Sequence, residues 1–198
     1  MTEPSQRLVV GISGASGVAY GIRLLELLRP TPIETHLVVS RSARMTLAYE
    51  TDLSFSDLRS SADASYANDD VGAAIASGSF RTIGMVVAPC SVKSMSEIAS
   101  GVTSTLLSRA ADVVLKERRK LVLMVRESPL HRNHLRTMVD LSEIGAVIAP
   151  PVPAFYSRPA TLDDLIDHSV GRVLDQFGID VDVVRRWREN SHPAVAKS

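Results

Sequence analysis

Short runs of β-branched and aliphatic residues recur along this chain, each followed by a small-residue or hydroxyl-bearing loop and then by apolar positions at helical spacing. Leu8, Val9 and Val10 read as a buried strand, and Val18 to Leu28 as the helix after it. Ile33 to Val39 predicts a second strand, with Ser40 capping a helix from Arg41 to Glu50. Ile83 to Ala88 predicts a third, followed by a helix from about Met95 and another from Thr105 to Glu117. Leu121 to Val125 is the fourth strand, with a helix after it to about Ser142. Ala146 to Ala149 is the fifth, and Leu162 to Phe177 the last long helix. Asp52 to Asp70 is rich in Ser and Asp and reads as an irregular surface excursion. Ala76-Ser77-Gly78-Ser79 reads as a small-residue turn, and Pro150 to Tyr156 as a stiff, proline-set segment. Strand alternating with helix predicts a three-layer α/β fold, Rossmann-like or flavodoxin-like, with a mostly parallel sheet covered on both faces. The pattern leaves the strand order open.

Composition narrows this picture. The 198 residues have no Pro/Gly/Ser-rich linker, so one domain spanning 1–198 is expected, with a core at about 7–180 and a tail, 181–198, in subunit contacts. The 22 basic and 22 acidic residues cancel, which argues against a whole-surface role on nucleic acid or on an anionic membrane. No apolar run approaches the roughly 20 residues that span a bilayer, and MTEPSQR shows no signal-peptide pattern. A single cysteine makes no internal disulfide, so the expected setting is a reducing cytoplasm.

Candidate chemistry lies at the strand ends. Gly11-Ile12-Ser13-Gly14-Ala15-Ser16-Gly17 lets a ligand approach the backbone closely, and the helix it opens favours an anion. Its GxxGxxG spacing is neither the dinucleotide GxGxxG nor a P-loop. It reads as a nucleotide-phosphate or flavin loop, with a tight turn that binds nothing as the alternative. Ser40-Arg41-Ser42-Ala43-Arg44 stands where an NAD fold would place an acidic residue, and suits a phosphate, either the 2′-phosphate of NADPH or that of a mononucleotide. Ser13/Ser16, Ser40, Ser91 to Ser94 and Arg126/Glu127 all follow strands, and in a parallel sheet they share one rim. Cys90 has apolar neighbours and no base beside it, which favours a structural thiol. His36, His131, His134 and His168 show no metal-ligand spacing, so no metal is expected. Arg109 and Lys116, seven residues apart, share a helix face. KERRK at 116–120 reads as a solvated helix end, and Trp187 as an interface residue.

Several blocks together resemble the UbiX-type flavin prenyltransferases, formerly described as aromatic-acid decarboxylases. They are GxSGASGxxYGxRLLE near the start, ETD at 50–52, IASGSF at 75–80, APCSVKS at 88–94, LxRAADVxLKERRxLVLxxRExPL at 107–130 and PPVPAFYxRP at 150–159. The resemblance runs from about residue 7 to Trp187. It implies transfer of the dimethylallyl group of dimethylallyl phosphate to N5 and C6 of reduced FMN, giving prenylated FMN for a UbiD-type decarboxylase, with no metal. It further implies that Gly14, Ala15 and Ser16 cradle the flavin, that Ser40 holds its phosphate, and that Ser91, Val92, Lys93, Ser94 and Arg126 complete the flavin site. Arg109, Lys116, Glu127, Tyr156 and Arg172 would grip the prenyl phosphate, and Ser16 and Glu50 would handle protons near N5, with Glu127 and Tyr156 also catalytic. A homododecamer is implied, with sites at subunit junctions that Tyr156, Arg172 and Trp187 would complete. The chain departs from some members at Val71, where they carry a tryptophan over the prenyl group. The rival readings are an NADPH- or FMN-dependent reductase, a flavoprotein acting directly as a decarboxylase, and a non-catalytic FMN carrier.

Overall fold

In the computed structural model, which describes residues 6–187, six parallel strands form one sheet in the order β3-β2-β1-β4-β5-β6. The strands are β1 (Arg7–Ile12), β2 (Glu34–Val39), β3 (Ala64–Tyr66), β4 (Gly84–Cys90), β5 (Lys120–Val125) and β6 (Ala146–Ile148). This is the doubly wound order of dinucleotide folds, whose direction of winding reverses between β1 and β4. The helices are α1 (Val18–Leu28), α2 (Arg41–Glu50), α3 (Phe55–Ser60), α4 (Val92–Ala99), α5 (Leu106–Lys116), α6 (Arg132–Glu143) and α7 (Leu162–Asp175). No helix among the described residues is long and apolar enough to cross a membrane.

Strand alternation sorts the core into two layers. Leu8, Val10, Ile12, Val86, Ala88, Val122 and Met124 point to one face, where Leu24, Leu25 and Leu28 of α1 and Val170, Val173 and Leu174 of α7 cover them. Val9, Met85, Val87, Leu121, Leu123 and Val125 point to the other, under Met95 of α4, Leu107, Ala110 and Val114 of α5 and Leu141 of α6. Burying each such side chain contributes about 1.5–3 kcal/mol, so packing holds these helices more than propensity does.

The 52–70 segment differs from its expected irregular form. Ser54 and Asp57 form a capping box that starts α3, and His36, Leu37 and Val38 of β2 pair with Ala64, Ser65 and Tyr66 to add β3 at the edge. The 116–120 segment departs from its expected form at one residue. Arg118 takes a left-handed φ of 57°, and Arg119 turns inward to donate to the carbonyls of Phe80 and Gly78, both at 2.7 Å. Lys116, Glu117, Arg118 and Lys120 stay exposed, so the solvated end holds with one inward clasp at Arg119.

Candidate active site at the carboxyl edge of the sheet

At the reversal point, β1 and β4 each end in a loop that opens a helix. The Ser13 hydroxyl is buried between them, donating to the Pro89 carbonyl at 2.9 Å and accepting from the Ser91 N–H at 2.7 Å. Both loops are thus tied to each other before any ligand arrives. Ser91 caps α4, its hydroxyl accepting from Ser94 N–H and donating to the Ser94 hydroxyl, each at 3.2 Å. Lys93 points outward and pairs with Glu97 at 3.2 Å. Val92 packs against the second core layer, which leaves only its backbone toward the rim.

Helix α2 lies across this rim instead of running down the sheet. Ser40 caps it, accepting from Ala43 N–H at 3.1 Å. Ser42 fills the space beside Gly14 so fully that a Cβ there would come within 2.2 Å of its hydroxyl oxygen. Ten residues, about 15 Å, further on, Glu50 accepts from the backbone N–H groups of Gly17 and Val18, each at 2.9 Å. The anion at the opening of α1, which the sequence left to a ligand, is therefore the chain's own carboxylate. Burial pushes the Glu50 carboxyl up, but hydrogen bonds from Ser16, Val18 and Gly17 and the nearby Arg126 guanidinium outweigh it and leave it below the usual carboxylate range. Burial raises the Tyr20 phenol, against the pull of the same Arg126. Arg126 follows β5, its backbone N–H bonded to the Cys90 carbonyl at 3.0 Å, and its exposed side chain faces this group. Tyr20 joins the site without a role in the sequence reading, its place in the GxxYG block being the available signal. Ser42, read there only as part of a phosphate-suited stretch, packs against Gly14.

The remaining residues fall elsewhere. Glu127, beside Arg126, is exposed and accepts from its neighbour Ser128 N–H at 3.0 Å. Arg109 lies in the first turn of α5, with Nε on the Ala76 carbonyl at 3.3 Å and Nη1 on Asp112 at 2.9 Å. Lys116 ends α5 beside Gly78 and pairs with Glu117 at 2.5 Å. It sits with the strand starts, where Lys120 is in register with Gly84. A six-residue strand, about 20 Å long, separates that edge from Glu127, so one copy does not bring Lys116 and Glu127 together. Arg172 on α7 shares a cleft with Pro151, Val152 and His168 and pairs with Asp175 at 2.5 Å. Tyr156 stands on a 3₁₀ turn at Phe155–Ser157, with Trp187 edge-on to its ring at 5.4 Å. Of the tail named for subunit contacts, 188–198 lies outside the described residues. Val71 is half exposed.

Cys90 is fully buried, which pushes its thiol up to about 12 and keeps it protonated. His131 and His134 stack at 3.5 Å, and among the described residues no three His, Cys, Asp or Glu side chains gather to hold a metal.

What this rim can do is receive a flat, anionic ligand. In the β1–α1 loop Ser16 is exposed and Gly14 and Gly17 are half-buried, and Ser40 and Ser91 cap the neighbouring helices. Arg41 and Arg44 lie in the first turn of α2, and Arg126 supplies positive charge beside loops already fixed by their own hydrogen bonds. Arg44 also stacks over the Phe55 ring at 4.1 Å. The donor set fits a flavin mononucleotide: hydroxyls and cations for the phosphate, and a small-residue loop for the ring.

Comparison with known proteins agrees. Residues 1–174 match the family model described as Flavoprotein. A relative from Thauera aromatica named flavin prenyltransferase UbiX is 59% identical over 192 residues, 97% of this chain and 99% of its own. Its namesake from Escherichia coli (strain K12) is 59% identical over 186 residues, 92% and 98% of the two chains. The crystal structure of AnUbiX in complex with FMN and dimethylallyl pyrophosphate matches with a TM-score of 0.92 at 49% identity, over 93% of this chain and 98% of that one. A dodecameric FMN-dependent Ubix-like decarboxylase from Escherichia coli O157:H7 matches with a TM-score of 0.91 at 50% identity, over 92% and 100%.

Proposed function

The chain belongs to the UbiX-type flavin prenyltransferases, and on that premise we propose that it joins the dimethylallyl group of dimethylallyl phosphate to N5 and C6 of reduced FMN, at sites shared between copies. The product, prenylated FMN, goes to a UbiD-type decarboxylase. The observation that carries this reading is the prearranged rim, where Ser16, Glu50, Tyr20 and Arg126 meet beside the capped starts of α2 and α4.

Reduced FMN supplies the nucleophilic nitrogen and ring carbon. Gly14, Ala15 and Ser16 lie along the ring's seat, and Ser40 at the start of α2 takes the phosphate. Ser91, Val92, Lys93 and Ser94 border it from α4, through backbone and hydroxyl groups, and Arg126 closes it. The Glu50–Ser16 pair holds a carboxylate, kept ionised by its donors, where a proton must leave as the ring closes. Glu127, Arg172, Tyr156, Arg109 and Lys116 take the prenyl phosphate. The cations among them, Arg109, Lys116 and Arg172, stabilise charge as the carbon–oxygen bond breaks and phosphate leaves.

The spacing of Lys116 and Glu127 gives this site its shape. A phosphate held by both draws Lys116 from one copy and Glu127 from another, which suits a homododecamer. Arg109 and Arg172 already hold carboxylates, in partly exposed i,i+3 pairs that can exchange for a phosphate.

Incubating the full chain with reduced FMN and dimethylallyl phosphate, followed by mass analysis, yields a flavin heavier by one C5 unit. Oxidation of NADPH, or release of CO2 from a carboxylate without a partner enzyme, overturns the assignment in favour of a rival. Co-expressing Lys116→Ala with Glu127→Gln restores activity that neither variant has alone, because some junctions then contain both native residues. Failure of that complementation removes the shared site.

A further inference from the structure

The Tyr156 hydroxyl lies 3.0 Å from His168 Nε2. No other hydrogen bond to that hydroxyl occurs among the described residues. The two side chains come from different elements, the 3₁₀ turn after Pro153 and the second turn of α7, and their rings meet edge to face at 5.5 Å. Trp187 abuts the same phenol ring, also edge-on. Tyr156 is thus a loop residue, 46% exposed, whose polar end is anchored by a histidine that is 8% exposed. One turn along α7, Arg172 lines the same cleft as His168.

Several charged groups surround this imidazole. Arg172 and Asp175 share its helix, and on its other side Arg158, Asp164, Asp167 and Arg185 line a small polar cavity. Asp164 is engaged by the N–H groups of Ala160 and Thr161, Asp167 by Arg23, and Arg185 by the Ser157 carbonyl at 3.0 Å. Burial lowers the His168 pKa, Arg172 lowers it further, and Asp175 opposes both, so the ring is neutral at pH 7.

A neutral imidazole offers one N–H and one lone pair. If Nε2 accepts, the phenolic hydrogen is spent on His168 and Tyr156 has only lone pairs to show an anion, which is repulsive. If Nε2–H donates, the phenol oxygen is satisfied as acceptor and its hydrogen is free to point outward. Only the second arrangement makes Tyr156 a donor to a phosphate.

We infer that His168 is a positioning residue that donates Nε2–H to Tyr156 and so directs the phenolic hydrogen at the prenyl phosphate. This rests on the placement of Tyr156 in the prenyl-phosphate site proposed above. Glutamine carries an N–H at nearly the position of Nε2; leucine fills the space and carries none.

The test uses four full-length variants, His168→Gln, His168→Leu, Tyr156→Phe and the Leu/Phe double. Their KM and kcat with reduced FMN are measured, with calorimetric binding of dimethylallyl phosphate and, as a control for folding of the rim, affinity for FMN. His168→Leu and Tyr156→Phe are expected to raise the KM and the dissociation constant for dimethylallyl phosphate by about tenfold, the worth of one hydrogen bond to a charged group. The double is no worse than Tyr156→Phe, His168→Gln stays within about threefold of the native chain, and FMN affinity is unchanged throughout. Equal losses for Gln and Leu, a further loss from Leu on top of Phe, or a parallel loss of FMN affinity overturns the inference. If the native chain forms no prenylated flavin but the calorimetric pattern holds, the reaction assignment fails and the positioning role stands. If the native chain turns over and Tyr156→Phe binds and reacts normally, the positioning role fails and the reaction assignment stands.

Discussion

The two edges of the sheet hold their cations differently. At the carboxyl edge, hydroxyls and backbone N–H groups pin the loops to one another, and Arg126 is left facing a carboxylate, a phenol and open space. At the amino edge the cations themselves do the pinning. Arg119 is committed to two carbonyls, and Arg7 pairs with Glu34 at 2.9 Å while stacking over Phe80. Lys116 is the exception there, because its partner Glu117 is itself exposed and the pair sits in water. Such a pair contributes about 0–1 kcal/mol and is readily exchanged. A cation held loosely at an otherwise rigid edge can exchange its carboxylate for a phosphate, as the shared site proposed above requires. The contrast separates charge used for structure from charge kept for a ligand.

The largest effect that probes this contrast is on activity. Arg126→Ala lowers kcat/KM by about a hundredfold or more, some 2.7 kcal/mol of lost charge stabilisation, while the thermal midpoint stays within a degree or two. A large fall in the midpoint would show that Arg126, like Arg119, is structural. Ser13→Ala acts in the opposite sense. It strands the Ser91 N–H, while the Pro89 carbonyl keeps the Ser13 backbone N–H at 3.2 Å, costing about 2 kcal/mol of stability, read by denaturant unfolding. A neutral result would mean that the two loops do not depend on each other.

Arg119→Ala comes next, at about 1–2 kcal/mol. Two carbonyls lose a charged donor, but both lie near water and recover part of it. FMN affinity is unchanged, since the clasp lies a strand's length from the rim. Glu50→Gln is smaller in stability, about 1 kcal/mol, comparable to removing a helix cap. It leaves α1 with a neutral acceptor, and it weakens turnover more than folding if the carboxylate also takes a proton. Equal losses in both would reduce Glu50 to a cap.

Much of this arrangement was legible in the sequence. Val18–Leu28 and Arg41–Glu50 have the predicted bounds, because an apolar stripe and a hydroxyl cap are both local signals. The rim followed from strand polarity alone, since every loop after a parallel strand shares one edge. What escaped was decided by distant partners. β3 is three half-buried residues that form a strand only because β2 offers an edge. α3 has one buried residue, Leu58, and rests on its capping box. Helix α4 starts at Val92, earlier than its apolar spacing suggested, because Ser91 caps it. Lys116 and Glu127 sit eleven residues apart in order, yet an intervening strand carries them to opposite edges. Residue spacing does not report direction across a sheet. The occupation of the α1 opening by Glu50 was hidden for the same reason: nothing local says that α2 turns across the rim.

The smallest predicted effect, on pH, tests the amino edge alone. His36 is 3% exposed there, with Nδ1 at 2.9 Å from the Tyr66 hydroxyl and Nε2 at 3.1 Å from Glu34. Burial lowers its pKa below the ordinary value of 6.5, and the Glu34 carboxylate only partly offsets this. Between 6.5 and the folded value the unfolded chain binds a proton that the native one does not, so stability rises with pH across that window. Above about 6.5 the group contributes no pH dependence, and as pH falls below it stability drops by at most about 1.4 kcal/mol per unit. His168 is lowered too and adds to the slope, so the measurement is made in the His168→Gln background. There, His36→Gln flattens the fall in the unfolding midpoint between pH 7 and 5, while FMN affinity keeps its native pH profile. If His36→Gln instead changes the pH profile of FMN affinity, the two edges are coupled and the separation of structural from ligand-binding charge breaks down.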